Sequence, residues 1–228
     1  MISHIQNILK QKLNLSSALL VLLLLASLGW AGFIFFGFVA NKLLASKVRA
    51  ATPKVIAAVG AERDVLAKAI EKYKAQYGYY PPDHLVTSNP MIVDAVTNQL
   101  LYELTGTVYN ASNQTFAAHT FQPVEVKLIR ELFNIEKFRN SANKPESVKH
   151  FLAENSFSSR EIHDDPDVNV LRPLMSVEGV ADDLLYEFDC TPWRYVTSAP
   201  TNNPGRFDLW VDLVCGKEKV TIGNWPKR

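Results

Sequence analysis

The first 61 residues contain neither aspartate nor glutamate. The other shortages in this 228-residue chain are just as informative. There are two cysteines, Cys190 and Cys215, which excludes a disulfide-dense scaffold. An isolated pair is as compatible with two buried thiols as with one bridge. The five histidines, at 4, 84, 119, 150 and 163, have no zinc-like spacing. No G-x-S-x-G elbow, phosphate loop or Cys–His signature occurs, and there is no internal repeat or low-complexity tract. The expectation is a protein that is not an enzyme, with no cofactor, no metal and no small-molecule substrate.

The formal charge of +1 hides an asymmetry. The acid-free stretch holds Lys10, Lys12, Lys42, Lys47, Arg49 and Lys54, leaving 18 basic against 23 acidic residues in 62–228, a net −5. A mildly acidic head carries no electrostatic footprint for nucleic acid.

Inside that stretch, no charge falls between Leu13 and Asn41, and "LSSALLVLLLLASLGWAGFIFFGFVA" is apolar almost throughout. Spanning a bilayer takes about 20 such residues. The apolar region of a signal peptide is shorter, about 7–15 residues, and a buried soluble helix rarely stays apolar on every face. The expected organisation is an N-terminal tail (1–14), a transmembrane helix (15–41), a helical continuation (42–78) and a head (79–228). Orientation is contested. Four basic residues follow the span closely and two precede it, which by the positive-inside count puts the head in the cytoplasm.

Beyond the span the helical pattern persists. Val55, Val59, Leu66, Ile70, Tyr73 and Tyr77 keep to one stripe. Pro53 is expected to kink or restart the helix. Gly78 suits a left-handed cap, and Pro81 and Pro82 forbid continuation. The middle, about 83–183, reads as mostly helical: Ile92, Val96, Leu100 and Leu104 share one face, Val124, Leu128, Leu132 and Ile135 another, and "KPESVKHFLAEN" is a shorter candidate with Pro145 in its first turn. The end alternates instead. Trp193, Tyr195 and Thr197 lie on one side, followed by the turn-rich "SAPTNNPG". In "RFDLWVDLVC", Phe207, Leu209, Val211, Leu213 and Cys215 face one way and Asp208, Trp210 and Asp212 the other; "GKEK" then turns the chain into "VTI". The fold class is α+β: a transmembrane helix continuing as a spine packed on a small antiparallel sheet, with a mostly helical insertion.

A membrane helix running into an amphipathic helix that ends "YKAQYGYYPPD" resembles the major pseudopilins of type II secretion. The positions that carry this resemblance first are Tyr73, Tyr77, Gly78, Tyr80 and Pro81. "TPWRYVTSAPTNNPGRFDLWVD" is similar to their Trp-containing strand, Pro/Asn loop and Phe-Asp strand through Pro192, Trp193, Tyr195, Phe207, Asp208 and Trp210. "IGNW" is similar to their closing Gly-Asn-Trp through Gly223, Asn224 and Trp225. The match covers 59–82 and 184–225, and 83–183 stands apart as an insertion. The resemblance implies a pilin-like fold, a single-pass protein of the bacterial inner membrane with its head outside the cytoplasm, and protein partners in a secretion machine. The alternative is an anchored structural or binding protein that joins no filament.

Three departures accompany the resemblance. Where the family has a Gly followed by a Phe-Thr-Leu-Ile-Glu-type run, this chain has "NLSSALLVL", so processing by the prepilin peptidase is not expected. No acidic residue before Glu62 can meet a neighbour's amine. The calcium site that the family implies is not expected either, because "VDLVCGKEKVTIGNW" offers only Asp212 and Glu218 as carboxylates, with Asp212 a solvated strand residue. Cys190 leads into the Trp193 strand and Cys215 ends the neighbouring one, so a hairpin is expected to bring them together as a disulfide. "HDDPD" (His163, Asp164, Asp165, Asp167) reads as a solvated loop, and Asp182 and Asp183 as a helix start or turn.

Overall fold

A computed structural model describes the backbone of residues 2–85, 93–118, 122–153, 158–162, 165–174, 177–216 and 218–226; within these ranges the side chains of 2–26, 28, 29, 31, 32, 84, 85, 93, 158–162 and 165–168 lie outside the description. The chain forms two compact units, residues 1–50 and 51–228.

Helix α1 (Ile2–Tyr77) contributes to both and carries Pro53 inside it. The expected restart is therefore not seen: one missing backbone donor is a local loss that the flanking turns outlast. In the first unit Trp30, Phe33, Phe35, Phe36 and Phe38 are all more than half exposed. Among the described residues no helix is long and apolar enough to cross a membrane. The segment 15–41, expected to be transmembrane, falls for its larger part on side chains outside the description.

The second unit opens with the part of α1 whose periodicity is legible in sequence. Val55, Val59, Leu66, Ile70 and Tyr73 are buried, and Tyr77 is half-buried. The helix stops at Gly78, which adopts φ 82° and donates its N–H to Lys74 O at 2.7 Å. That conformation is one glycine adopts without steric cost.

Next come β1 (His84–Leu85) paired with β2 (Val93–Asp94), α2 (Leu100–Thr105), β3 (Thr107–Asn110), β4 (Thr115–Ala117), β5 (Val124–Glu125), α3 (Val126–Phe133), β6 (Ser141–Ala142), a 3-10 turn (Pro145–Ser147), and the hairpin β7 (Ser158–Ile162) with β8 (Asp165–Arg172). Strands β5, β4, β3 and β6 form a mixed sheet in that order, with β3 and β6 parallel. The insertion is thus richer in strand than in helix, correcting the mostly helical expectation. Of the three expected helices, one survives as α3, one shrinks to α2 because Asp94 and Asn98 fold the preceding residues into side-chain-capped turns, and one is reduced to the 3-10 turn. Tyr109 of β3 and Phe116 of β4 pack instead with residues of α2 and α3. Tyr102, Phe116, Val124, Ile129, Phe133 and Phe138 make a core of their own, with Tyr102 stacked on Phe138 at 4.6 Å.

The C-terminal part contains α4 (Asp182–Leu185), β9 (Phe188–Cys190), β10 (Arg194–Val196), β11 (Asp208–Cys215) and β12 (Glu218–Gly223). β11 is central: β12 pairs along one edge, and β10 and β9 share the other, all antiparallel. The register slips by one residue between β10 and β9, placing a bulge at Thr191–Trp193. Tyr195, Phe207, Leu209, Val211 and Leu213 are buried as the alternation requires. Contacts tie this sheet to α1 along its length, from Thr52 against Cys215 (3.7 Å) to Arg63 donating to Gly223 O at 2.9 Å.

The same register overturns the expected disulfide. Cys190 lies opposite Leu213 and Cys215 opposite Phe188, so the two thiols are diagonal neighbours and both are free. Diagonal positions lie about 7–8 Å apart, beyond what a disulfide spans without backbone movement. Burial pushes the Cys190 thiol up to about 12.

Candidate functional site

Tyr80, Pro81, Tyr195 and Phe207 meet where the spine ends over the sheet, whereas Trp193 and Gly223 contact it farther back, at Glu62 and Arg63. Tyr80 packs on Phe207 at 5.2 Å, with the Lys74 ammonium 4.1 Å from the centre of its ring. Tyr195 donates its hydroxyl to the carbonyl of buried Pro81 at 2.8 Å, which fixes the chain just past Gly78. Tyr73 and Tyr77 are in ring contact at 4.6 Å. Trp193 is fully buried beyond half-buried Pro192. Gly223 is required by its neighbour: a Cβ there would stand 2.6 Å from the Trp225 ring, which in turn packs edge-on against Trp210 at 5.9 Å.

The turn-rich loop between β10 and β11 is shaped by two carboxylates. Asp208 Oδ2 accepts from the N–H groups of Thr201 and Asn202, both at 2.8 Å, and from Asn202 Nδ2 at 3.1 Å; its Oδ1 accepts from Asn203 N–H at 2.9 Å and Asn203 Nδ2 at 3.1 Å. Asn224 locks the same loop to the sheet, donating to Phe207 O at 3.0 Å and accepting from Leu209 N–H at 2.9 Å and Asn203 Nδ2 at 3.0 Å. Asp83 holds the loop's beginning, its Oδ2 accepting from Thr197 N–H, Ser198 N–H and Ser198 Oγ, each at 2.8 Å. A carboxylate surrounded by N–H donors presents its lone pairs to protons, not to a metal or a reacting group.

Three further acidic residues are held by donors as well: Asp212, Glu62 and Glu103. Asp212, expected to be solvated, is buried: Arg194 lies against it, Lys219 Nζ is at 2.9 Å and Thr221 Oγ1 at 2.7 Å. Cross-strand cations fold over it because β12 and β10 flank β11 on both sides. Burial raises its carboxyl pKa, but hydrogen bonds from Lys219, Thr221 and Arg194 outweigh this and hold it below the usual range. Glu62 accepts from Trp193 Nε1 at 3.0 Å and Leu174 N–H at 2.7 Å, and burial raises its pKa despite those bonds. Glu103, on α2, is fully buried. Its Oε1 accepts from Arg139 N–H at 2.8 Å, and its Oε2 from Tyr73 Oη at 2.8 Å and Asn140 N–H at 2.9 Å. Burial dominates and pushes its carboxyl up, while these three bonds pull the other way. Asn140 extends the node, accepting from Tyr77 Oη at 2.9 Å and donating to the carbonyls of Glu103 and Lys149. This joins α1 to the insertion.

Concavities also occur among the described residues. An open groove of about 620 Å³ runs along α1 past Asp64, Ala67, Lys68, Glu71, Lys72 and Ala75 to Arg206, where Arg206 pairs with Glu71. A cleft of about 230 Å³ in the insertion is lined by residues including Tyr109, Phe116, Arg130 and Glu136, with the last two ion-paired. Among the described residues no three His, Cys, Asp or Glu side chains converge as metal ligands. Asp182 and Asp183 sit exposed in the first turn of α4, and Glu218 is exposed on β12. Residues 163 and 164 and the side chains of Asp165 and Asp167 lie outside the description. Sequence reasoning missed Glu62, Asp83, Glu103, Asn140, Arg194 and Asn203. For Asn203 a signal existed, since an Asn-Asn-Pro-Gly turn a few residues before an Asp is a ready set of donors for it. Glu103 had none, because a carboxylate inside an apolar helical run looks like any solvated position.

No family model, curated protein or solved structure matches the chain.

Proposed function

We propose that this chain is a pseudopilin-like, membrane-anchored component of type II secretion or a related pilus-type machine. It acts through protein contacts, with its head outside the cytoplasm. One observation carries the proposal: residues 55–73 of α1 bury a single apolar stripe under an antiparallel sheet, while earlier in the same helix apolar side chains are exposed and no acidic residue occurs. A soluble role gives no reason to leave Trp30, Phe33, Phe35, Phe36 and Phe38 bare. A bilayer does, and 15–41 is then the transmembrane helix. The saturated carboxylates favour an architectural head over a catalytic one.

A second reading draws on Glu62, the first acidic residue of the chain. It is held by Trp193 and Leu174 within the head, so it offers no charge to a neighbouring subunit's amine. That favours an anchored envelope protein that joins no filament. Crosslinking in native membranes separates the two. Recovery with secretion-machine subunits is expected on the first reading; recovery alone, from membranes that also contain an assembled machine, would leave the second.

A further inference from the structure

We infer that Lys42, Lys47 and Arg49 form a headgroup site for anionic phospholipid at the end of the apolar stretch. The inference rests on the membrane-anchor reading above and adds a ligand class and residues to it. Lys42 follows directly on Asn41, the last residue of the charge-free run, Lys47 and Arg49 come within the next two turns, and all three are exposed. No acidic residue in the first 61 competes for them, so the first unit presents them to solvent without a carboxylate partner.

Their placement also fits a bilayer boundary. Lys42 and Arg49 are seven residues apart, about two helical turns, and share a face; Lys47 lies toward another face. The charges therefore lie on two well-separated faces of the helix, which a surrounding lipid surface can meet together. Immediately before the ring, Phe33, Phe35, Phe36 and Phe38 are exposed. The Lys42 ammonium lies 4.6 Å from the centre of the exposed Phe38 ring, a cation–π contact that places the charge beside the last aromatic residue of the apolar stretch. Basic residues beside a membrane helix attract anionic headgroups, and the attraction falls off within a Debye length. Duplex nucleic acid shares the phosphate but gives the neighbouring aromatic residues nothing to bury against.

The test uses the full chain in vesicles of equal phosphatidylglycerol and phosphatidylcholine. The vesicles are washed with alkaline carbonate, the protein is extracted with its surrounding lipid in a styrene–maleic acid polymer, and the lipid is weighed by mass spectrometry. Phosphatidylglycerol should be enriched about fivefold, the size of effect one well-placed cation supplies. The enrichment should vanish in the triple variant K42Q/K47Q/R49Q, fall in high salt, and survive in K42R/K47R. Inorganic phosphate or duplex DNA at matched phosphate concentration should not compete it away. Unchanged melting of the head in every variant guards against misfolding. No enrichment, enrichment undiminished in the triple variant, or full competition by phosphate or DNA overturns this inference alone. Release of the wild type by carbonate overturns the anchor reading and this inference with it.

Discussion

Residues 30–44 and residues 55–73 belong to one helix and are both rich in large apolar side chains, yet their surfaces are opposites. In the first stretch Phe33 is 77% exposed and Phe36 75%; in the second Val55, Leu66 and Ile70 are at 0%. Apolar content therefore says little by itself. Pattern decides: a stripe at a period of 3.6 identifies a helix with one partner, and an unbroken run identifies one that wants apolar surroundings on every side. Charge follows the same division. The second stretch fills its outer face with Asp64, Lys68, Glu71 and Lys72, while the first has no acidic residue at all.

The contrast breaks most visibly in the buried stretch. Leu66→Ala should destabilise the head by about 3 kcal/mol, within the usual range of about 2–5 for such a truncation, and lower its melting temperature by about 6–12 °C. Scanning calorimetry or denaturant unfolding checks this, and a shift under a degree would mean that the spine does not close the core. Asp208→Ala comes next. Five donors lose their acceptor, but the loop is partly open to water, so a loss of about 2–3 kcal/mol is expected. Faster amide exchange should be confined to residues 201–203, and exchange unchanged there would remove Asp208 from its role as the loop's organiser.

Glu103 sharpens the comparison through pH. Burial raises its folded-state pKa above the ordinary 4.5, so the folded protein binds the proton more tightly than the unfolded chain. Its contribution to stability is complete below about 4.5 and is lost as pH rises through the folded value. Asp212 runs the other way: its folded pKa lies below the ordinary 3.8, so its contribution is complete above that and lost as pH falls through the folded value. Unfolding free energies between pH 4 and 8 should therefore show wild type losing ground to Glu103→Gln as pH rises; a difference that stays flat or reverses contradicts the assignment. The smallest effect belongs to the exposed stretch. Phe36→Ala should leave the melting of the head unchanged, because that ring belongs to the first unit and is 75% exposed.

Much of the fold was legible because it rests on periodicity. The stripe of Val55 to Tyr73, the stop at Gly78 and the strand 208–215 each follow from spacing and turn chemistry alone. What was hidden depends on partners distant in sequence. Asp212 occupies the polar phase of an alternating strand and reads as solvated, but Arg194 and Lys219 from the flanking strands fold over it. The insertion misled for a related reason: Ile92, Val96, Leu100 and Leu104 have helical spacing, yet Asp94 and Asn98 between them satisfy backbone N–H groups in turns, and only Leu100–Thr105 stays helical. Cys190 and Cys215 sit on neighbouring strands, as expected, but one pairing step away from being bridged.

On the proposed function, the apolar, acid-free end of α1 anchors a head that lies outside the cytoplasm. Protease added to intact spheroplasts of the native host, followed by alkaline washing and mass spectrometry of the membrane pellet, tests that most directly. Digestion of residues beyond about 50, with peptides from 15–41 retained in the washed membrane, is the expected result. A head that stays protected until the cells are lysed, or a chain that the alkaline wash releases whole, would contradict it.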